Sequence, residues 1–191
     1  MAAIFGRFSH NSEALLIEAQ KAAYQLGRPM HSDVILVAIM SGQPTPAAEF
    51  LKNIGVTKEK LVENLNPNHT GYTSPTGGHT QEMQWLLEES IRLAGRFRFS
   101  LVEVEHILYV IAREERFNGH QLLRQCGLDP RIIVTRLAEW LFSVATLNQA
   151  PGPQELADAK QERGERVEID RFIFNVTEAA RMGQLDPVIG R

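Results

Sequence analysis

Apolar positions along this chain recur three and four residues apart, and no alternating β pattern competes with them. Leu15, Leu16, Ala19, Ala23 and Leu26 trace one helical stripe. Gly27 follows where a left-handed C-terminal residue is needed. Ser32 is placed to cap a second helix that ends near Gly42. Thr45 and Pro46 read as the cap and first residue of a third helix closing at Gly55, and Thr57 opens a fourth. Further on, Thr80 caps, Gly127 closes, and Asp129-Pro130 starts a last helix through Trp140. The pattern predicts an all-α protein of roughly eight short helices.

The same plan is written twice. The stretch Ser12–Gly27 parallels Met83–Arg98, with Leu15-Leu16 on Leu86-Leu87 and Ala23 on Ala94. "SDVILVAI" from Ser32 parallels "VEHILYVI" from Val104 at an offset of 72, and Phe50–Leu65 falls on Leu122–Leu137 at the same offset. Gly55 then meets Gly127, Leu61 meets Ile133, and the first pair is out of step by one residue only. Two four-helix repeats related by a pseudo-twofold follow: residues 1–66 and 80–146, joined by a Gly/Pro/Thr/Asn-rich loop over 67–79. Residues 147–168 carry prolines, glycines and dense charge, as a flexible linker does. A last amphipathic piece within 169–191 places Phe172 and Val176 on one side and ends in "LDPVIGR".

Composition narrows the chemistry. With 191 residues, 43% hydrophobic and 23% charged, there is material for a sizeable core. A net charge of -3 gives no whole-chain attraction to nucleic acid or anionic membrane. The basic, aromatic "GRFRF" at Gly95–Phe99 lies among acidic residues that nearly balance the arginines around it, so a solvated helical surface is expected. The single Cys126 falls on the apolar Ile54 position and reads as a small buried hydrophobe. One cysteine, no signal-peptide pattern and no 18-residue apolar run lead to the expectation of a cytoplasmic location. No G-x-x-x-x-G-K-[ST] string occurs, so this stretch alone is not expected to hydrolyse ATP. The six histidines form no H-x-x-x-H pair and there is no C-x-x-C, so no metal site and no cofactor are expected.

The duplicated unit, with "VEHIL" at a helix start and "GV" or "GL" before each last helix, resembles the N-terminal domain of Clp ATPases. ClpC-like members fit best, and "FGRFS" at Phe5–Ser9 is similar to their start. The tail "FNVTEAARMGQLDPVIGR" is similar to the segment that opens the first AAA+ module of those unfoldases. The resemblance implies a domain that docks substrates and adaptor proteins, tethered to a hexameric unfoldase that feeds a Clp-type peptidase. ATP and Mg are implied for that full-length protein. A free-standing regulator that sequesters substrates or adaptors is the alternative, and the fragment alone is expected to be a monomer.

ClpC-like domains usually carry "GTEH" at the second helix of each repeat, and in some members its Glu helps to bind phosphorylated arginine. Here Glu105 and His106 of "EVEH" match the motif's last two positions, while Asp33 and Val34 of "HSDV" stand in the first repeat. A carboxylate can pair bidentately with a guanidinium, and helix N–H groups can receive a phosphate. Against that, Glu103 adds a negative charge, and an acid in a helix's first turn favours the macrodipole whatever the ligand. Phe5, Phe8 and Tyr72 are candidates to line an apolar groove between the repeats, or else to cap the core.

Overall fold

The computed structural model describes residues 6–66 and 80–148; Phe5, Tyr72, the joining loop, the charged linker from 149 on and the tail lie outside them. The architecture is all-α: α1 (His10–Gln25), α2 (Ser32–Ser41), α3 (Pro46–Asn53), α4 (Lys58–Glu63), α5 (Gln81–Arg96), α6 (Val104–Arg113), α7 (Asn118–Gln125) and α8 (Pro130–Asn148). Among the described residues the only β feature is a single parallel bridge between Phe8 and Val102.

Local capping sets most of these boundaries. Ser9, Thr45, Thr57 and Thr80 are N-caps whose hydroxyls accept from the N–H groups of Ser12, Ala48, Lys60 and Met83. Pro46 occupies the first turn of α3. Gly27, Gly55 and Gly127 follow their helices at φ 61°, 83° and 77°. In the second repeat Arg98 takes Gly27's place at φ 60°. The correspondence is exact in hydrogen bonding too: Arg28 N–H donates to Ala23 O, and Phe99 N–H to Ala94 O.

Two boundaries differ from the sequence reading. Ser32 is not the cap of α2 but its first residue; His31 stands at the cap, without a side-chain cap bond. The Ser32 hydroxyl is turned to the other repeat instead. The last helix runs past Trp140 to Asn148, because Leu137, Leu141 and Ala145 continue its buried stripe at four-residue spacing.

The second helix of each repeat is the centre of the fold. In α2, residues 32 to 39 are all buried, and in α6 Val104–Leu108 and Val110–Ala112 are buried. The packing has the exchange symmetry that two equal repeats require. α2 packs on α1, α3 and α4 of its own repeat, and α6 on α5, α7 and α8. Across the repeats, α2 meets α5 and α7, and α6 meets α1 and α3.

Hydrogen bonds fix these crossings. The Gly119 N–H at the start of α7 donates to Ser32 Oγ at 2.8 Å. The repeat-related Ala47 N–H at the start of α3 donates to Glu105 Oε1 at 2.9 Å. Thr80 Oγ1 donates to Met30 O, and Ser9 N–H to Val102 O.

Gly119 tolerates no side chain at this crossing. A Cβ there would lie 2.6 Å from Ile111 Cγ2 and 2.9 Å from the Ser32 carbonyl oxygen. Gly119→Ala is expected to lower stability by about 1–3 kcal/mol, because backbone and a packed branch must both give way. Urea unfolding checks this; an unchanged or raised midpoint contradicts the packing.

Candidate ligand-binding cleft

The two acids singled out by the sequence begin the two central helices, but they meet different neighbours. Asp33 is 2% exposed, and Arg28, also buried, places Nη2 2.8 Å from Asp33 Oδ2. Its other oxygen accepts from the Val34 N–H at 2.8 Å. Burial pushes the Asp33 carboxyl above its usual range, and Arg28 and the Val34 N–H draw it only part of the way back. Asp33 therefore lies inside the fold with a cation already on it.

Glu105 occupies the same position in the second repeat and is 3% exposed. The residue at Arg28's position is Phe99, so no cation is supplied from there. Among the described residues, no Lys, Arg or His nitrogen comes within 4.0 Å of Glu105. Burial pushes its carboxyl up, the Ala47 N–H and its own N–H counteract this, and the neighbouring Glu103 adds to the rise.

A cleft of about 530 Å³ opens against Glu105. Glu103 and Glu105 supply its acidic lining, and Pro46, Phe99, Leu101 and Trp140 its apolar walls. Glu103 is the N-cap of α6, and its Oε2 accepts from Ser9 Oγ at 2.6 Å. Arg98 also lines this half-apolar depression, so acidic and basic groups both border it, as in a site for a polar group carried on an apolar stem.

His106 is not part of this lining. It is fully buried, its Nδ1 accepts from the Glu103 N–H at 2.9 Å, and its ring meets Phe99 edge-on with centroids 4.7 Å apart. Nε2 has no hydrogen-bond partner among the described residues. Burial depresses the His106 pKa to about 4, so the ring is neutral at pH 7 and acts as half of a capping box with Glu103. Phe8, 4% exposed, belongs to the core beside α1 and not to the wall of the cleft.

Sequence reasoning had no sign of Glu82, which joins the repeats. It accepts from Ser32 N–H and Oγ–H, and from the Asn118 N–H, and lies 3.3 Å from His31 Nδ1. Burial pushes its carboxyl up, but the bonds from His31 and Ser32 outweigh this and leave it below the usual range. Three arginines of the second repeat are engaged at the surface, Arg92 with Glu88 and Glu89, Arg113 with Glu89 and Glu114, and Arg116 over the Trp85 ring at 3.6 Å. Among the described residues no three His, Cys, Asp or Glu side chains converge as metal ligands. No single helix there is long and apolar enough to cross a membrane.

The family comparison agrees with the geometry. The Clp repeat (R) N-terminal domain family matches residues 7–126, and the chain belongs to that family. An ATP-dependent Clp protease ATP-binding subunit ClpA homolog of Guillardia theta is 26% identical over 98% of this chain and 22% of its own length. The chaperone protein ClpB of Oceanobacillus iheyensis is 24% identical over 98% of this chain and 23% of its own length. The chain thus spans about a fifth of the curated relatives it matches. Among solved structures, the ClpD N-terminal domain of Arabidopsis thaliana aligns with TM-score 0.59 at 15% identity, over 71% of this chain and 94% of that one. The Hsp104 N-terminal domain of Candida albicans aligns with TM-score 0.55 at 15% identity, over 70% of this chain and 90% of that one. These structures share the fold.

Two predictions follow from the buried charges. Arg28→Ala leaves Asp33 buried without its cation and is expected to cost about 3–5 kcal/mol. Adding Asp33→Asn should recover a large part of the loss in urea unfolding, and a double variant no more stable than Arg28→Ala contradicts the pair. His106 predicts acid sensitivity. The unfolded chain takes up a proton near 6.5 and the folded one only near 4. Stability is therefore lost as pH falls between those values, reaching about 3 kcal/mol at the lower end. The raised Asp33 and Glu105 carboxyls act in the opposite sense, so the test is a difference. Relative to His106→Asn, the parent should lose its advantage from pH 7 to 4, and a pH-independent difference contradicts the buried neutral ring.

Proposed function

We propose that this chain is the docking domain of an ATP-driven cytoplasmic protein unfoldase that feeds a Clp-type peptidase, and that it captures substrates or adaptor proteins without catalysis of its own. The observation that carries this reading is family membership over residues 7–126, together with relatives named as Clp ATP-binding subunits and chaperones. ATP and Mg belong, in this reading, to parts of the longer protein. The phosphoarginine recognition implied by the sequence motifs finds support at Glu105 alone. Glu105 is among the residues that line the cleft, whereas Asp33 is paired with Arg28 inside the fold and His106 is enclosed.

A docking role predicts a specific deficit on removal. When residues 1–148 are deleted from the whole encoded polypeptide, ATP turnover should stay within about twofold. Unfolding of an adaptor-delivered or loosely folded substrate such as casein should drop about tenfold, because the tethered domain raises local substrate concentration. Equal casein unfolding with and without the domain refutes docking. An encoded polypeptide with no ATP turnover at all supports the free-standing regulator in its place.

A further inference from the structure

The two repeats differ in bulk at a pair of equivalent positions away from the two acids. Thr45 is the N-cap of α3 and Phe117 the N-cap of α7, and Ala14 in α1 falls on Trp85 in α5. Phe117 is buried, and Trp85 lies under the Arg116 guanidinium at 3.6 Å. The first repeat has only an alanine and a threonine at these places, and both line a cavity of about 30 Å³. Its floor is apolar and buried, made by Leu15, Ala38, Ile39 and Val104. Glu18, the charged residue of the lining, is paired with Lys21 at 2.6 Å. Asn11, Thr45 and Val104 line the larger cleft as well, so the two depressions adjoin.

We propose that this small cavity is a subsite for a short aliphatic side chain, valine in size, on a polypeptide segment whose neighbouring residues lie in the cleft. Its volume sets the ligand, since it has room for a branched group of a few carbons and not for a ring. Its floor sets the chemistry. Apolar walls give a trapped water too few partners, whereas an aliphatic group gains dispersion contacts and leaves water. In the second repeat the corresponding bulk comes from the chain itself, as Phe117 and Trp85; in the first it is left to a partner. The cavity is too small to hold a ligand alone, and the adjoining cleft receives the rest of the segment. No charge is asked of this side chain, so the subsite is independent of the acids at the helix starts. This rests on the docking reading and names one side chain that it captures.

The test titrates the chain of 191 residues with acetyl-Gly-Gly-Xaa-Gly-Gly-amide, where Xaa is Ala, Val, Leu or Phe, followed by amide NMR shifts. The valine peptide should shift Leu15, Ile39 and Val104 saturably. It should bind about fivefold or more tighter than the alanine and phenylalanine peptides, as added carbons in an apolar site allow. Ala14→Leu fills the cavity from within, so its urea midpoint should stay or rise while the valine preference vanishes. Ile39→Val removes one methyl group from the floor and should move the preference from valine toward leucine. If Ala14→Leu fails to fold, the Ile39→Val comparison decides. Binding of the valine peptide no tighter than that of the alanine or phenylalanine peptide overturns the proposal. So does a valine preference that survives in Ala14→Leu, an unmoved preference in Ile39→Val, or the absence of saturable shifts with all the peptides. If the peptides fail while casein unfolding still depends on residues 1–148, the subsite is lost and the docking reading stands.

Discussion

The fold depends on two helix starts, those of α2 and α6, each of which satisfies backbone donors belonging to the other repeat. An α-helix leaves its first N–H groups without internal partners, and burying such a group unpaired is costly. Here the buried first-turn donors of α3 and α7 are brought to side chains of the opposite repeat, Glu105 and Ser32. Glu82 adds the α7 start and the α2 start to one carboxylate. The repeats are therefore joined by apolar contact and also by directional bonds that allow one register. That is why Gly119 admits no Cβ, and why Ser32, an ordinary capping residue by sequence, is used one position inside its helix.

Duplication gave two equivalent positions that then took different roles. In the first repeat the acid and a cation come from the same chain, and the position is closed. In the second, an aromatic residue replaces the cation, a second acid stands at the cap, and the acid, though buried, borders the cleft. Gly27 and Arg98 share one conformation, but the turn that follows is one residue longer before α6 than before α2, and Phe99, Glu103 and Glu105 stand where the first repeat has Arg28, His31 and Asp33. Arg98 holds it without glycine's freedom, a modest local strain at the edge of the cleft.

The helices were legible because their signals are local. Thr45-Pro46, Thr57, Thr80 and the three glycines act within one turn, so sequence spacing suffices. The end of the last helix was misplaced because Trp140 carries no stop signal and the buried stripe simply continues through Leu141 and Ala145. Glu105 was found by likeness to a motif, not by its surroundings. The cleft around it draws on Pro46, on Phe99–Glu105 and on Trp140, three separated stretches whose convergence no local pattern announces. The Arg28–Asp33 pair lay five residues apart in plain view, yet only the turn between α1 and α2 folds one onto the other.

The bonds that join the repeats connect residues 58, 87 and 94 positions apart in sequence. Closing such spans sacrifices chain entropy before any reward arrives, whereas α1 with α2, or α5 with α6, are neighbours from the outset. Folding is thus divided into fast local pairing of helices and a slower search between two preformed halves. During that search the central helices show apolar faces that have not yet met their cover. A newly made chain is most open to self-association in that interval, before the second repeat has been completed.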